Sequence, residues 1–364
     1  MITAVWSPAC LEHVPGAEIW IGVRTPGTEV PERATSIGAA LAEAGAELVE
    51  AVPHDDDALR AVHDPAMIDH LRDVWEQWAE AGYPRDPGQD RVVPYVFPTS
   101  AMLAGMPSRT PAAVHARAGL WCYDTMTLVG PGTWPAARAA VDAALTAADL
   151  VATGTARAVY ALCRPPGHHA APAGYGGSCY LNNAAVAAQA LRGHGFARVA
   201  VIDVDAHHGN GTQAVFWERP DVFYGSVHVD PGAGWFPHYL GFADETGTGA
   251  GLGTTVNVPL APGSGDEAWL AGVERLCAAV AAYGAEAVVV SLGVDAAADD
   301  PESPLRVSAS GYHRTGYLVS RLGLPMVAVQ EGGYHLPTLG PLVVQTLTGL
   351  TGLNGRGGGS SDGS

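Results

Sequence analysis

The chain has 364 residues, 48% hydrophobic and 15% charged, enough apolar material for a large core and an enzyme-sized globular body. With 19 basic residues against 37 acidic ones, the formal charge is −18; this argues against a nucleic acid or anionic membrane as the main partner, since either needs a basic footprint, and it is compatible with a cationic substrate. Every basic side chain is arginine, and the absence of lysine excludes Schiff-base chemistry, pyridoxal phosphate and a phosphate loop ending in Gly-Lys-Ser/Thr.

From the N-terminus, Met1 to Pro8 lacks the basic start and apolar centre of a signal peptide, and no apolar stretch is long enough to span a bilayer. The cysteines Cys10, Cys122, Cys163, Cys179 and Cys277 are odd in number and never in C-x-x-C spacing, which indicates neither a disulfide framework nor a zinc ribbon and predicts a soluble, cytoplasmic protein. Residues 82–119 are rich in Pro, Arg and aromatics without clear periodicity, as in a long functional loop or an oligomerisation insertion. Beyond them, helices are predicted over 134–153, 181–193, 266–283 and 308–322. Strands are predicted over 199–204, 222–228, 287–292 and 326–329. Short, wholly apolar strands alternating with Ala-rich helices define an α/β class with a mostly parallel sheet covered on both faces. A single domain is expected over residues 1–351, with 352–364 as a flexible Gly/Ser-rich tail.

The chemistry-bearing residues follow predicted strands. In Val199-Ala-Val-Ile-Asp-Val-Asp-Ala-His-His-Gly-Asn-Gly, Asp203, Asp205 and His207 occupy alternate positions and point one way in extended chain. They sit at a carboxyl end of the sheet, where parallel-sheet proteins place ligands. Carboxylates and an imidazole suit a borderline divalent cation, zinc above all; a polar turn bonding its own backbone is the plainer reading. Asp295, just past the 287–292 run, would enter the same crevice from a neighbouring strand, although alone it also reads as a helix N-cap. Asp205, His207 and Asp295 then leave a position open for water, as catalytic zinc requires.

Two further pieces join them. His168 and His169, in Arg164-Pro-Pro-Gly-His-His, cannot both face a core, and an imidazole pair suits acid–base work near neutral pH; a surface turn is the alternative. Tyr334, in Gln330-Glu-Gly-Gly-Tyr-His, follows a Gly-Gly turn that can aim its phenol at a developing oxyanion, or it simply packs.

In this order, Arg-Pro-Pro-Gly-His-His, Gly-Gly-Ser-Cys-Tyr-Leu-Asn-Asn, Asp-Val-Asp-Ala-His-His-Gly-Asn-Gly-Thr-Gln, Gly-Val-Asp and Glu-Gly-Gly-Tyr resemble the histone deacetylase family up to about residue 350. The resemblance implies an arginase/deacetylase-type fold with about eight strands in its central sheet. It also implies one zinc ion on Asp205, His207 and Asp295, with Tyr334 polarising the scissile carbonyl. His169 would be the main general base and acid, with His168 as its electrostatic partner, Asp203 orienting His168 and Asn210 orienting His169. An asparagine at 210 is similar to class II and bacterial members rather than many class I relatives. A structural potassium ion is implied near Asp203, Asp205, His207, Ser226 and Val227, partly through backbone carbonyls.

Trp235-Phe-Pro-His-Tyr-Leu-Gly, Glu-Thr-Gly-Thr-Gly-Ala-Gly and Val92-Val-Pro-Tyr-Val-Phe-Pro look like the acetylpolyamine amidohydrolase branch. There the insertion builds a homodimer that narrows the entrance for slender substrates. Phe236 keeps one tunnel wall, whereas Ser178, after Gly177, replaces the usual aromatic of the other, implying a wider or more polar channel. Glu302 matches a glutamate that selects cationic polyamines in a eukaryotic relative, and reads equally as a solvated acid. The implied activity is zinc-dependent removal of acetyl groups from N-acetylated amines, acetylpolyamines first. Acetyl-lysine proteins, or a biosynthetic intermediate bearing an N-acyl amine, are the other substrates. Two rivals stand apart: a two-manganese ureohydrolase, for which Gly209 occupies the place of a needed aspartate, and a non-catalytic protein that binds acetylated ligands.

Overall fold

In the computed structural model, which describes residues 2–352, ten strands are present: β1 (Thr3–Trp6), β2 (Glu18–Trp20), β3 (Val23–Thr25), β4 (Glu47–Glu50), β5 (Ala158–Ala161), β6 (Val199–Asp203), β7 (Val222–Val229), β8 (Thr255–Leu260), β9 (Ala287–Leu292) and β10 (Met326–Gln330). Eight of them form one sheet in the order β4-β1-β5-β10-β9-β6-β7-β8, and every pairing in it is parallel. The other two make an antiparallel hairpin of their own. Beyond Gly352, the expected C-terminal tail lies outside the described residues.

Period-two alternation explains why the central strands read as unbroken apolar runs. In β6, Val199 and Val201 face one helical layer while Ala200 and Ile202 face the other. The same split separates Val289 from Val288 and Val290 in β9, and Val327 and Val329 from Met326 and Ala328 in β10. Every residue of β6, β7, β9 and β10 is buried, so each side chain contributes roughly 1.5–3 kcal/mol if it is Val, Leu or Ile, and no face of the sheet needs a polar residue. Among the described residues no helix is long and apolar enough to cross a membrane.

Helix bounds follow their caps. The helix Asp266–Tyr283 opens on two acids at its positive end and stops at Gly284, which takes the left-handed conformation at φ 74°. The helix expected from 181 begins at Asn183, because the Asn182 side chain accepts the Ala185 N–H at 2.9 Å as an N-cap. Ser308 likewise caps Ala309–Ser320 rather than joining it. Within 82–119 the chain forms two short helices, Ser100–Leu103 and Val114–Trp121. Gly119 of the second lies against the Val96 carbonyl with no room for a Cβ, and the segment reaches the core through the scattered side chains Val92, Val114 and Ala118, which leave no hydrophobic period to read.

Candidate active site

Register places the ends of β6, β9 and β10 side by side: Asp203 pairs with Ser291, and Val329 pairs with Ser291 from the other side. The three chains leave the sheet together, which brings Asp205, Asp295 and the Gly332–Tyr334 turn into one crevice. Gly332 passes between the acids, where a Cβ would lie 2.6 Å from Asp205 Oδ2. Its N–H donates to that same oxygen at 2.7 Å, and the Ala206 N–H donates to Asp295 Oδ1 at 2.8 Å.

Donor atoms of Asp205, His207 and Asp295 lie within 4.8 Å of one another. The His207 tautomer follows from its other nitrogen: Nε2 is 3.1 Å from the Glu302 carbonyl, an acceptor, so Nε2 carries the hydrogen. Nδ1 therefore turns a lone pair toward Asp205 Oδ1 at 3.3 Å and Asp295 Oδ2 at 3.0 Å. Three electron-rich atoms facing one another in a buried crevice repel unless a proton or a metal cation lies between them, and against burial the two carboxylates accordingly hold the His207 imidazole well above its usual range. Burial and the Asp205 charge push the Asp295 carboxyl above the usual carboxylate range, as expected where two acids share one place. Two carboxylates and an imidazole, each held in place by a hydrogen bond to the surrounding backbone, are a fitting donor set for a divalent metal with an open coordination position.

Beside this cluster stand the two histidines, ring centroids 4.0 Å apart. His168 Nδ1 donates to Asp203 Oδ2 at 3.1 Å, an oxygen that also accepts from the Tyr224 hydroxyl. His169 Nδ1 donates to Asn210 Oδ1 at 2.7 Å, which leaves its Nε2 unprotonated. Their electrostatics diverge. Burial works against charge on His168, but Asp205 and Asp203 outweigh it and push the group up to about 10. Burial, then the neighbouring His168 and His207, hold His169 well below the usual imidazole range, so it is neutral near pH 7 and able to accept a proton.

Tyr334 reaches the same crevice from the β10 side, its backbone N–H donating to Asp300 Oδ2 at 2.7 Å. Beneath the ring lies the Arg33 guanidinium, 4.7 Å from the centroid. Burial raises the phenol well above its ordinary range despite Arg33, so Tyr334 keeps its proton and stays a donor. Arg33 Nη1 meets Glu29 Oε1 at 2.8 Å, and the same carboxylate takes Arg164 at 2.9 Å (Nε) and 3.0 Å (Nη2). All three side chains are buried. One acid thus joins the support of Tyr334 to the arginine that opens the His-His turn.

Above the crevice is a pocket of about 90 Å³ lined by Glu18, Thr28, Met126, His169, Gly177, Ser178, His207, Phe236, Glu302 and Tyr334. Phe236 stands edge-on to His169 at 4.7 Å and 85°. The pocket is narrow although Ser178 forms part of its wall. Ser226 and Val227 are buried next to this region on β7, with Ser226 Oγ 2.8 Å from His228 Nδ1.

Comparison with known proteins settles the ancestry of this arrangement. The family model described as "Histone deacetylase domain" matches residues 27–350. The chain is 41% identical over 336 residues to acetylpolyamine amidohydrolase of Mycoplana ramosa, covering 92% of this chain and 95% of that one. It is 39% identical over 341 residues to acetylpolyamine amidohydrolase 1 of Pseudomonas aeruginosa, covering 93% and 96%. The chain belongs to the histone deacetylase family. A crystal structure of acetylpolyamine aminohydrolase from Burkholderia pseudomallei superposes with a TM-score of 0.91 at 38% identity, covering 98% of this chain and 100% of that one, and the eight-stranded parallel sheet described above is the arginase/deacetylase fold. The family implies a metal, and the Asp205, His207 and Asp295 cluster is where the donors for one converge.

In this deacetylase-family chain the structure brings together the catalytic, metal and substrate residues singled out from sequence: the three converging donors, both histidines with Asp203 and Asn210, Tyr334, and the rim residues Gly177, Ser178, Phe236 and Glu302; Ser226 and Val227, expected at a potassium site, lie on β7, where Ser226 is in register with Asp203 of β6. Sequence reasoning missed Glu18, which enters the rim from the β2–β3 hairpin opposite Glu302. Burial, and next the Glu302 charge, push its carboxyl up to about 7. It also missed Asp124, whose carboxylate accepts N–H groups from Met126, Thr127 and Gly177 and so shapes the wall around Ser178. Neither residue stands in a motif, and no local signal marks either one.

Proposed function

We propose that this protein is a zinc-dependent acetylpolyamine amidohydrolase, hydrolysing an N-acetylated polyamine and water to acetate and the free amine. The reading is carried by one juxtaposition: a three-donor metal cluster, a neutral imidazole with a free Nε2 and a protonated phenol line one narrow pocket whose rim bears two carboxylates. Homologues named for this activity, at about 40% identity over most of the chain, support it.

When bound by Asp205, His207 and Asp295, zinc supplies a Lewis acid that polarises the amide oxygen and acidifies water. His169 Nε2 takes the proton of the attacking water, since its Nδ1–H is committed to Asn210, and returns it to the departing nitrogen. The Tyr334 hydroxyl donates to the oxygen that becomes anionic. His168, held charged by Asp203 and Asp205, adds positive potential beside that oxygen. Glu18 and Glu302 receive the distal ammonium, while Phe236, Gly177 and Ser178 flank the chain between.

The finer assignments follow the same line. A potassium ion on Asp203, Asp205, His207, Ser226 and Val227 would stiffen the β6 and β7 tips. A homodimer is supported by Tyr95, Met102 and Met106 in the insertion, 72%, 61% and 63% exposed. A reducing, cytoplasmic setting is supported by five free thiols.

Catalytic efficiency on acetylputrescine, acetylspermidine and an acetyl-lysine peptide, compared for wild type and Glu302→Leu, tests the substrate assignment. The expected result is a polyamine preference that Glu302→Leu abolishes; unchanged preference in the variant would sink the role of Glu302. A pH series tests Glu18. Below about pH 7 its carboxyl is protonated and above it charged, so KM for acetylputrescine should fall as pH rises through 7, the distal amine remaining an ammonium throughout. That fall should vanish in Glu18→Gln and be absent for a neutral acetamide of equal length. A parallel fall with the neutral substrate would remove Glu18 as its cause.

A further inference from the structure

In the run Glu331-Gly332-Gly333-Tyr334, the phenol faces the substrate and the glycines let the chain pass the Asp205 and Asp295 carboxylates, yet the acid at its head has no part in that chemistry. Glu331 is fully buried. Its Oε2 accepts the N–H groups of Gly167 at 2.6 Å and His168 at 3.1 Å, and its Oε1 accepts from Ser291 Oγ at 3.0 Å. Its own N–H donates to the Leu292 carbonyl at 2.8 Å, and its carbonyl accepts from Arg33 Nη2 at 2.5 Å. Donor atoms of His168, Cys179 and Glu331 lie within 4.8 Å of one another. Because both carboxylate oxygens already hold protein donors, that cluster is a hydrogen-bond hub rather than a cation cage.

We propose that Glu331 is a positioning residue that clamps the Gly167–His168–His169 turn to the β10 tip, so that the general base and the Tyr334 phenol hold one spacing across the pocket. The proposal rests on the deacetylase reading above. Two consecutive N–H groups on one carboxylate oxygen form a charge-assisted grip that fixes both position and direction of the turn. On the turn's other side Gly167 is wedged, since a Cβ there would lie 2.5 Å from the Asn183 nitrogen and 2.7 Å from the Leu181 carbonyl oxygen. The next residue after Glu331 binds Asp205 Oδ2 through the Gly332 N–H and accepts the Val294 N–H at 3.1 Å. The histidine turn, the β9 and β10 tips and the phenol are therefore one body, pinned at Glu331. Removing the carboxylate strands three buried donors and frees the turn to shift; a displacement of about 1 Å at a reacting group is worth roughly a hundredfold in rate.

The test uses the full-length, metal-loaded protein with Glu331→Ala and Glu331→Gln. The glutamine oxygen can still accept both N–H groups while its amide donates to Ser291 Oγ. Glu331→Ala should keep the wild-type metal stoichiometry and KM for acetylputrescine, lose on the order of ten- to a hundredfold in kcat, and shift the imidazole nitrogen NMR signals of His168 and His169. Glu331→Gln should restore both the rate and the spectrum. Histidine signals and kcat unchanged in Glu331→Ala, or a glutamine variant as impaired as the alanine one, would overturn the clamp. So would a loss in kcat that only tracks metal lost or protein unfolded. Should the wild-type enzyme hydrolyse no acetylated amine, the deacetylase reading falls, and the histidine spectra still decide whether Glu331 fixes the turn.

Discussion

Tyr334→Phe should lower kcat by on the order of 10²–10³, the cost of removing one oxyanion donor, with metal content and KM close to wild type. The substitution isolates the hydroxyl. Arg33 lies 4.7 Å under the ring centroid, a contact that phenylalanine retains, and the Asp300 grip on the backbone N–H does not involve the side chain. The turn should therefore stay in place while the donor disappears. Because burial holds the phenol well above its ordinary range, Tyr334 remains protonated across the neutral region, so the deficit should be equal at pH 6 and pH 8. Single-turnover rates at both pH values provide the measurement. A variant turning over as fast as wild type would mean that the oxyanion is held by something other than Tyr334.

The second large effect concerns stability. Glu29→Ala should destabilise the fold by about 3–5 kcal/mol, the range for breaking a buried ion pair by removing one partner. The reason is arithmetic of charge: Glu29 is the carboxylate between two buried guanidiniums, Arg33 at 2.8 Å and Arg164 at 2.9 Å. Both cations would be left without their counter-ion where water does not reach. Urea unfolding followed by tryptophan fluorescence reads the change as a shift in midpoint at constant slope. A midpoint within experimental error of wild type would show that the arginines find other partners. Since Arg33 supports Tyr334 and Arg164 opens the His-His turn, a smaller loss of kcat should accompany the loss of stability.

Legibility in the sequence tracked how local each cause was. The run 287–292 and the helix 266–283 were read to the residue, because burial on both faces leaves an unbroken apolar stretch and because Gly284 and two opening acids mark the helix ends in the sequence itself. The donors on β6 and β9 were legible for a related reason: a polar residue just past a buried strand is conspicuous. The β2–β3 hairpin was not. It turns through Ile21, a β-branched residue at φ 49°, with Gly22 at φ 76°, where the familiar signal is Asn-Gly. With the hairpin invisible, Glu18 was one more acid in an acidic chain. Glu29, Arg33 and Asp124 were hidden in the same way. Besides near neighbours, each has a decisive partner distant in sequence, Arg164 for Glu29, the Glu331 and Gly333 carbonyls for Arg33 and the Gly177 N–H for Asp124, and long-range pairing leaves no periodic trace.

The glycines under the metal-donor crevice carry a practical consequence for protein engineering. Side chains at Gly332 or Gly293 would collide with the very oxygens of Asp205 and Asp295, so the reactive floor tolerates almost no sequence variation. The entrance, assembled from a hairpin, a turn and separate loops, is less restricted except at Gly177, where a Cβ would lie 2.5 Å from His169 Cδ2. Mutant libraries confined to Glu18 and Glu302 should therefore retune which acylated amines are accepted while leaving the hydrolytic machinery in place, whereas Phe236 packs on His169 and is best held constant.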